Sequence, residues 1–112
     1  MNQLDFLDWG EFRQMGPPIV KLEIRRIELL LVDGDGLDEP LRDGLRRARL
    51  ELLRFVGELE RTTAPGELDT LAEYIRRAAL NVGIHDEECD NPQLKYIADR
   101  LGYVHNRMSL IY

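Results

Sequence analysis

The sequence contains one cysteine, Cys89, and one serine, Ser109, among its 112 residues. A single cysteine excludes an intramolecular disulfide framework, so an apolar core has to hold the chain together. No stretch approaches the roughly 20 consecutive apolar residues that a membrane-spanning helix needs. The first residues are acidic and show no basic region followed by an apolar run, so the sequence carries no recognisable secretory signal. These absences predict a cytoplasmic protein with no membrane segment.

Lysine is also scarce, because the 15 basic residues are 13 arginines and two lysines, against 21 acidic residues. The resulting net charge of −6 makes nucleic acid an unfavourable partner and favours a basic protein surface. A GC-rich bacterial or phage genome explains the choice of arginine over lysine. The alternative is that planar guanidinium groups are needed to bind carboxylates or phosphates.

The motifs of common enzyme classes are missing. The sequence contains neither a P-loop nor a Gly-x-Gly-x-x-Gly stretch, and Ser109 does not lie in a nucleophile elbow. His105 lies on an apolar helical stripe, a position typical of a core or interface histidine. We therefore expect no enzymatic activity and no bound cofactor.

Helical periodicity is present over most of the chain. Apolar residues recur at steps of three and four from Pro40 to Arg61, from Pro65 to Val82, and from Pro92 onward. Proline at the start of each segment suits the first helical turn, where a missing N–H group has no cost. The connections between these segments are short enough for neighbouring helices to run antiparallel.

Segment 17–32 is ambiguous, because its apolar residues fit a helical stripe and also alternate as they do in a strand. A strand pair would need Arg25 and Arg26 as its turn, and arginines are poor turn residues, so a helix is favoured. In that helix Leu22 and Leu29 lie opposite the main apolar stripe. A helix that is apolar on two sides is either central in its fold or covered by another chain.

The N-terminal segment is expected to form a short helix or hook that Gly16, Pro17 and Pro18 separate from the rest. The predicted fold class is all-α, an antiparallel bundle of about four helices plus this N-terminal helix or hook. We expect one domain, with the aromatic and acidic hook at 1–16 and the helical bundle at 17–112.

The hook is also a candidate partner-binding segment. Its aromatic residues Phe6, Trp9 and Phe12 are interleaved with Asp5 and Asp8, as in short segments that dock into hydrophobic grooves. Three interpretations remain open: the aromatic residues cover this chain's own bundle, a sister subunit, or another protein.

Paired arginines form a candidate anion-binding set, if they converge on one surface. The set comprises Arg25, Arg26, Arg46, Arg47, Arg76 and Arg77. The simpler interpretation is that each arginine pairs with a glutamate at helical spacing.

Segment 85–90 is a candidate metal site, because it offers imidazole, thiolate and carboxylate groups. Its residues are His85, Asp86, Glu87, Glu88, Cys89 and Asp90. Their spacing matches no established metal motif. The alternative is an acidic loop that precedes and caps the helix beginning at Pro92.

These patterns predict a small acidic helical protein that acts by binding. The function we expect is protein–protein interaction, as in an inhibitor, an immunity or anti-defence protein, an adaptor or a small subunit of an assembly. The partner is another protein or a second copy of the chain. The alternative is an oligomer that binds an anionic ligand, such as a nucleotide, or a metal.

Overall fold

The periodic segments form four helices in the computed structural model, which describes residues 9–33, 37–61, 68–83 and 92–108. The helices are α1 (Trp9–Asp33), α2 (Glu39–Arg61), α3 (Leu68–Gly83) and α4 (Pro92–Met108). Within these ranges there is no strand. The all-α fold class is therefore confirmed, and segment 17–32 is helical.

The start of α2 shows how local sequence fixes a helix boundary. The Asp38 carboxylate accepts a hydrogen bond from the backbone N–H of Leu41 at 3.1 Å, and the Asp38 carbonyl accepts one from the N–H of Arg42 at 3.0 Å. Asp38 is thus the N-cap, and Pro40 lies in the first turn, where it interrupts no helical hydrogen bond. The predicted start at Pro40 agrees with the structure to within one residue.

One arginine joins the end of α1 to the start of α2. The guanidinium group of Arg42 donates hydrogen bonds to the carbonyl of Leu31 at 2.8 Å and to the carbonyl of Leu37 at 3.3 Å. The last carbonyls of a helix lack intrahelical donors and carry partial negative charge. A guanidinium group at this end supplies hydrogen-bond donors and a compensating positive charge. Arg42 therefore holds the end of α1 close to the start of α2.

The ion pairs between helices define their relative direction. Lys21 of α1 lies 3.2 Å from Glu60 of α2, and Glu28 lies 3.0 Å from Arg49. Residue numbers rise along α1 as they fall along α2, so the two helices are antiparallel. By the same criterion α1 is antiparallel to α4. Each helix packs on the next one in sequence, and α1 also packs on α4, which closes the bundle.

All four helices contribute apolar side chains to one core, spaced at three and four residues. The fully buried large side chains are Phe12, Ile27, Leu45, Leu52, Phe55, Leu59, Leu71, Ile75, Leu94, Ile97 and Leu101. Each contributes roughly 1.5–3 kcal/mol by leaving water. The apolar residues at steps of three and four along α2 are buried throughout, and at the end of α1 Leu30 is buried while Leu31 is half-buried.

The predicted break at Gly16, Pro17 and Pro18 is wrong, because α1 passes through all three residues without interruption. A proline inside a helix costs about 3 kcal/mol. Apolar residues on both sides of the prolines, including Phe12 and Ile19, are buried in the same core, and this packing outweighs the local penalty. The hook that was expected to end at residue 16 is, from Trp9 onward, the first two turns of α1.

Gly16 allows α1 and α2 to approach closely at this point. A Cβ atom there would lie 3.1 Å from the side chain of Leu59 and 3.2 Å from the ring of Phe12. Such distances are shorter than ordinary van der Waals contact, so a Cβ at this position would require the side chains of Leu59 and Phe12 to shift by a few tenths of an ångström. Gly16 therefore fits the close packing of α1 against Leu59 of α2.

Candidate functional site

The first candidate is the side of α1 that faces away from the bundle. Leu22 and Leu29 are 46% and 49% exposed, although both are large apolar residues. Met15, Pro18, Leu22, Arg25 and Leu29 follow one another at steps of three and four residues, so they lie on one side of the helix. We call these five residues the α1 outer face; Met15, at its N-terminal end, is half-buried and also packs against the core. The prediction that Leu22 and Leu29 lie opposite the main apolar stripe is confirmed.

A shallow groove lies along the N-terminal half of the α1 outer face. It has a volume of about 420 Å³ and is lined by Gln14, Met15, Pro18, Ile19 and Leu22. Proline has no N–H group, so Pro18 cannot donate the helical hydrogen bond to the carbonyl of Gln14. The groove is therefore lined by apolar side chains and by Gln14, whose backbone carbonyl receives no helical hydrogen bond from residue 18.

The second candidate is a polar cluster between α1 and α4. Its residues are Glu23 and Arg26 on α1 and Tyr96 and Arg100 on α4, and we call it the Glu23 cluster. Glu23 is 0% exposed and is the only polar residue among the described ones that is fully buried. A charged side chain at this depth requires opposite charges nearby, which the two arginines provide.

The two arginines approach Glu23 without forming good hydrogen bonds. Arg26 Nε lies 3.4 Å from Glu23 Oε1, and Arg100 Nε lies 3.9 Å from Glu23 Oε2. Among the described residues neither Glu23 oxygen, nor either Nε atom, has a hydrogen-bond partner of acceptable geometry. Both guanidinium groups also lie near the ring of Tyr96, at 4.9 Å for Arg26 and 5.8 Å for Arg100. The ring and the carboxylate thus both stabilise a pair of like charges.

Burial dominates the protonation of Glu23. Removal of the carboxyl from water raises its pKa above the ordinary value, and the positive charges of Arg26 and Arg100 oppose this rise only in part. With Glu23 ionised, two guanidinium groups face one carboxylate, so the cluster has a net charge of +1. A pocket of about 320 Å³ adjoins it, lined by Arg26, Pro92, Gln93 and Tyr96. This arrangement can bind an anion through Arg26.

The other predicted arginines lie on separate helices. On α2, Arg46 pairs with Glu39 at 2.8 Å and Arg47 pairs with Asp43 at 3.1 Å. On α3, Arg76 and Arg77 both pair with a single residue, Glu73. Arg25 is exposed on the α1 outer face, and of the predicted set only Arg26 belongs to the Glu23 cluster. Arginines 46, 47, 76 and 77 therefore bind acids of their own helices.

The structure describes part of the predicted partner-binding segment. Phe12 is fully buried and meets Phe55 edge-on, with ring centroids 6.0 Å apart. Trp9 is half-buried and packs on Phe12 at 5.8 Å. Phe12 therefore covers this chain's own bundle, as one of the three interpretations expected. Asp5, Phe6 and Asp8 lie outside the described residues.

The predicted metal ligands of segment 85–90 also lie outside the described residues. Within the described ranges, no group of three or more His, Cys, Asp or Glu side chains is arranged to hold a metal ion. His105 of α4 is half-buried. No described helix combines the length and the apolar character needed to cross a membrane.

Sequence reasoning missed three members of the Glu23 cluster: Glu23, Tyr96 and Arg100. One signal was available, because Glu23 lies between Val20 and Ile27 on the apolar stripe of a predicted helix, where a charge is unexpected. The partner on α4 could not be found in this way, because nothing in the local pattern around Arg100 indicates which helix it faces.

Comparisons with known proteins provide no further indication of function, since the chain matches no protein-family model, no curated protein and no solved structure.

Proposed function

We propose that this chain is a protein-interaction module that binds its partner through the α1 outer face. The observation that carries the proposal is Leu22, exposed at the edge of an apolar groove, with Leu29 exposed two turns further along the same side of α1. Exposed apolar surface that is contiguous, and not scattered, marks binding sites in soluble proteins.

The chemistry of this face favours a protein partner over a small molecule. The groove is shallow and open, whereas small-molecule sites enclose most of the ligand surface. An amphipathic helix of the partner would fit, because such helices place apolar anchors along a groove at steps of three, four and seven residues. Met15, Leu22 and Leu29 are themselves seven residues apart, so each can contribute to one continuous interface.

Site-specific photocrosslinking in the native host tests this proposal. A photoreactive phenylalanine analogue replaces Leu22 in one variant and Leu50 in a matched control, because Leu50 lies on α2 with a similar exposure of 51%. We expect protein adducts from position 22 and few or none from position 50. Equal yields at the two positions, or no adduct at either, would contradict the proposal.

Anion binding at the Glu23 cluster is a second candidate function. The net positive charge of the cluster and the pocket beside Arg26 and Tyr96 support it. Guanidinium groups bind phosphate oxygens through paired hydrogen bonds, so a phosphate group is the ligand class we propose.

Titration with inorganic phosphate, followed by NMR, tests the second candidate. We expect saturable shifts at Gln93 and Tyr96 in the wild type and their loss in Arg26→Gln. Arg76→Gln is the control, because Arg76 is an exposed arginine of α3 bound to Glu73. Unchanged spectra of the wild type, or the same titration in Arg26→Gln, would exclude this site.

A further inference from the structure

We propose that the Glu23 cluster binds a tetrahedral oxyanion together with a proton, which the Glu23 carboxylate takes up as the anion binds to Arg26. This inference rests on the second candidate function, anion binding at the Glu23 cluster, and names the regulation of that site. Its basis is that one guanidinium group, that of Arg26, contacts the buried carboxylate and also lines the adjoining pocket. The carboxylate and an incoming anion therefore compete for the same positive charge.

The position of Arg26 allows it to serve both sites. Its Nε atom is buried and lies 3.4 Å from Glu23 Oε1, without a hydrogen bond of acceptable geometry. The side chain as a whole is nonetheless 40% exposed, and it lines the pocket of about 320 Å³ beside Tyr96. A guanidinium group carries its N–H donors in a planar fork, so the terminal nitrogens can bind an anion while Nε stays near the carboxylate. An anion bound in this way is separated from Glu23 by the width of one guanidinium group.

The groups that face Glu23 come from two helices. Arg26 lies on the same helix, and Arg100 of α4 places its Nε atom 3.9 Å from Glu23 Oε2. Tyr96 of α4 lies beside both guanidinium groups. The positive charges that act on Glu23 are those of Arg26 and Arg100. The charged residues of α2 that contact α1 belong to separate ion pairs, which are Lys21 with Glu60 and Glu28 with Arg49.

Protonation of Glu23 changes the charge that an anion meets. With the carboxylate ionised the cluster has a net charge of +1, and with the carboxyl neutral the two guanidinium groups of Arg26 and Arg100 give it +2. A bound anion then supplies the negative charge that Arg26 has lost. Burial raises the pKa of Glu23, so the neutral form is reached at a higher pH than in an exposed glutamate. Anion and proton therefore favour each other's binding, and this coupling is reciprocal.

The alternative is that Glu23 stays ionised when the anion binds. Two negative charges would then face each other across the guanidinium group of Arg26. Neither Glu23 oxygen has a hydrogen bond from a described residue that would stabilise the ionised form at this depth. Uptake of one proton removes the repulsion, as it does where two carboxylates share a site. The coupled binding of anion and proton is therefore favoured.

Binding of sulfate at two pH values tests the coupling. Sulfate is the probe because phosphate itself titrates, with a second pKa of about 6, whereas sulfate keeps its charge. The dissociation constant is measured by NMR at Gln93 and Tyr96, at constant ionic strength. We expect the wild type to bind sulfate about tenfold more weakly at about pH 8 than at about pH 5, because the bound anion raises the pKa of Glu23 by about one. Equal affinity at the two pH values would overturn the inference.

Two variants assign the proton to Glu23. Glu23→Gln carries no charge at any pH, so it should bind sulfate equally at both pH values and about tenfold more tightly than the wild type at the higher one. Glu73→Gln is the matched control, because Glu73 also faces two arginines but lies on the surface of α3. This control should retain the pH dependence of the wild type. The same pH dependence in Glu23→Gln would assign the proton to another group, such as His105, and would overturn the inference.

Titration of the Glu23 carboxyl carbon, followed by carbon NMR in the wild-type protein, is a test that needs no variant. We expect its midpoint to lie above 4.5 without sulfate and to rise by about one pH unit in saturating sulfate. The rise follows from linkage, since a proton that strengthens anion binding must itself be bound more tightly when the anion is present. A midpoint that sulfate leaves unchanged would contradict the coupling.

The outcomes separate the coupling from the anion site itself. Sulfate binding that is lost in Arg26→Gln, but that does not depend on pH in the wild type, would overturn the coupling and retain the site. A wild type that binds neither sulfate nor phosphate at either pH would overturn both. The proposed binding of a protein at the α1 outer face is independent of each of these results.

Discussion

Glu23 and Glu73 each face two arginines, yet their surroundings are opposite. Glu73 lies on the surface of α3 with 36% of its side chain exposed, and it accepts hydrogen bonds from Arg76 at 2.8 Å and from Arg77 at 3.2 Å. Glu23 is fully buried between α1 and α4, and its two arginines do not reach hydrogen-bonding geometry. The residue types are the same, so the difference between the clusters comes from burial and from the helices that supply the arginines.

The pKa values of the two glutamates differ in direction. Hydrogen bonds from Arg76 lower the pKa of Glu73 to about 2, since they stabilise the ionised form. Burial raises the pKa of Glu23, since it destabilises the ionised form more than Arg26 and Arg100 stabilise it. Three residues of one helix can optimise their contacts by rotating side chains. A cluster shared by two helices is constrained by the packing of the backbone.

Replacement of Glu23 by methionine gives the largest expected effect. Methionine has a similar length and fills the site without a charge, and Arg26 and Arg100, which are partly exposed, can turn towards water. We expect the free energy of unfolding to rise by about 1–3 kcal/mol, because the substitution removes a fully buried carboxylate that has no hydrogen bond of good geometry. Urea unfolding at pH 7 measures it, and a loss of stability would mean that Glu23 is well satisfied in the folded protein.

Removal of one arginine from the Glu23 cluster should lower the free energy of unfolding. Arg100→Met leaves the buried Glu23 carboxylate with Arg26 as its remaining cation, and we expect a loss of about 1–2 kcal/mol. The same substitution in a Glu23→Met background should have little effect, because no carboxylate is left to compensate. Equal losses in both backgrounds would show that Arg100 acts through packing on Tyr96.

The prediction of the fold from the sequence succeeded where the information is local. Helix α2 follows from its apolar stripe and from Asp38 and Pro40 at its start, since capping and periodicity involve residues a few positions apart. The continuity of α1 through Pro17 and Pro18 could not be predicted in this way. It depends on the burial of Phe12 and Ile19 in the common core, where Phe12 meets Phe55, a residue distant in sequence.

The same distinction between local information and contacts distant in sequence applies to the candidate sites. The position of Leu22 and Leu29 opposite the main apolar stripe of α1 was predicted, because the helical repeat of one segment determines it. The convergence of Glu23 with Arg100 was not, because it requires the packing of α1 on α4. A charge on an apolar stripe, such as Glu23, indicates that a buried polar cluster exists but does not identify its other members.

The dependence of stability on pH provides a smaller and more specific test of Glu23. A carboxyl whose pKa is raised on folding binds more protons in the folded state than in the unfolded state, so stability falls as the pH rises above the ordinary value of 4.5. Glu23→Gln should remove this fall, because glutamine does not titrate. The difference between the unfolding free energies of Glu23→Gln and the wild type should therefore grow from pH 4 to pH 7. A constant difference would contradict the raised pKa.

The exposed cluster should respond to salt instead, and its effect is expected to be the smallest. Glu73→Gln removes the hydrogen-bonded carboxylate of α3, and at low ionic strength the urea midpoint should fall slightly, because the stabilisation by Arg76 and Arg77 is lost. At 1 M salt the Debye length is about 3 Å, so exposed charges are screened and the midpoints of Glu73→Gln and the wild type should coincide. The buried Glu23 is screened much less, so the difference between Glu23→Met and the wild type should persist in the same buffer. If salt removed both differences equally, the carboxylates of Glu23 and Glu73 would have to be equally accessible to water. Burial would then not explain why the Glu23 cluster, shared by two helices, differs from the Glu73 cluster, which lies within one helix.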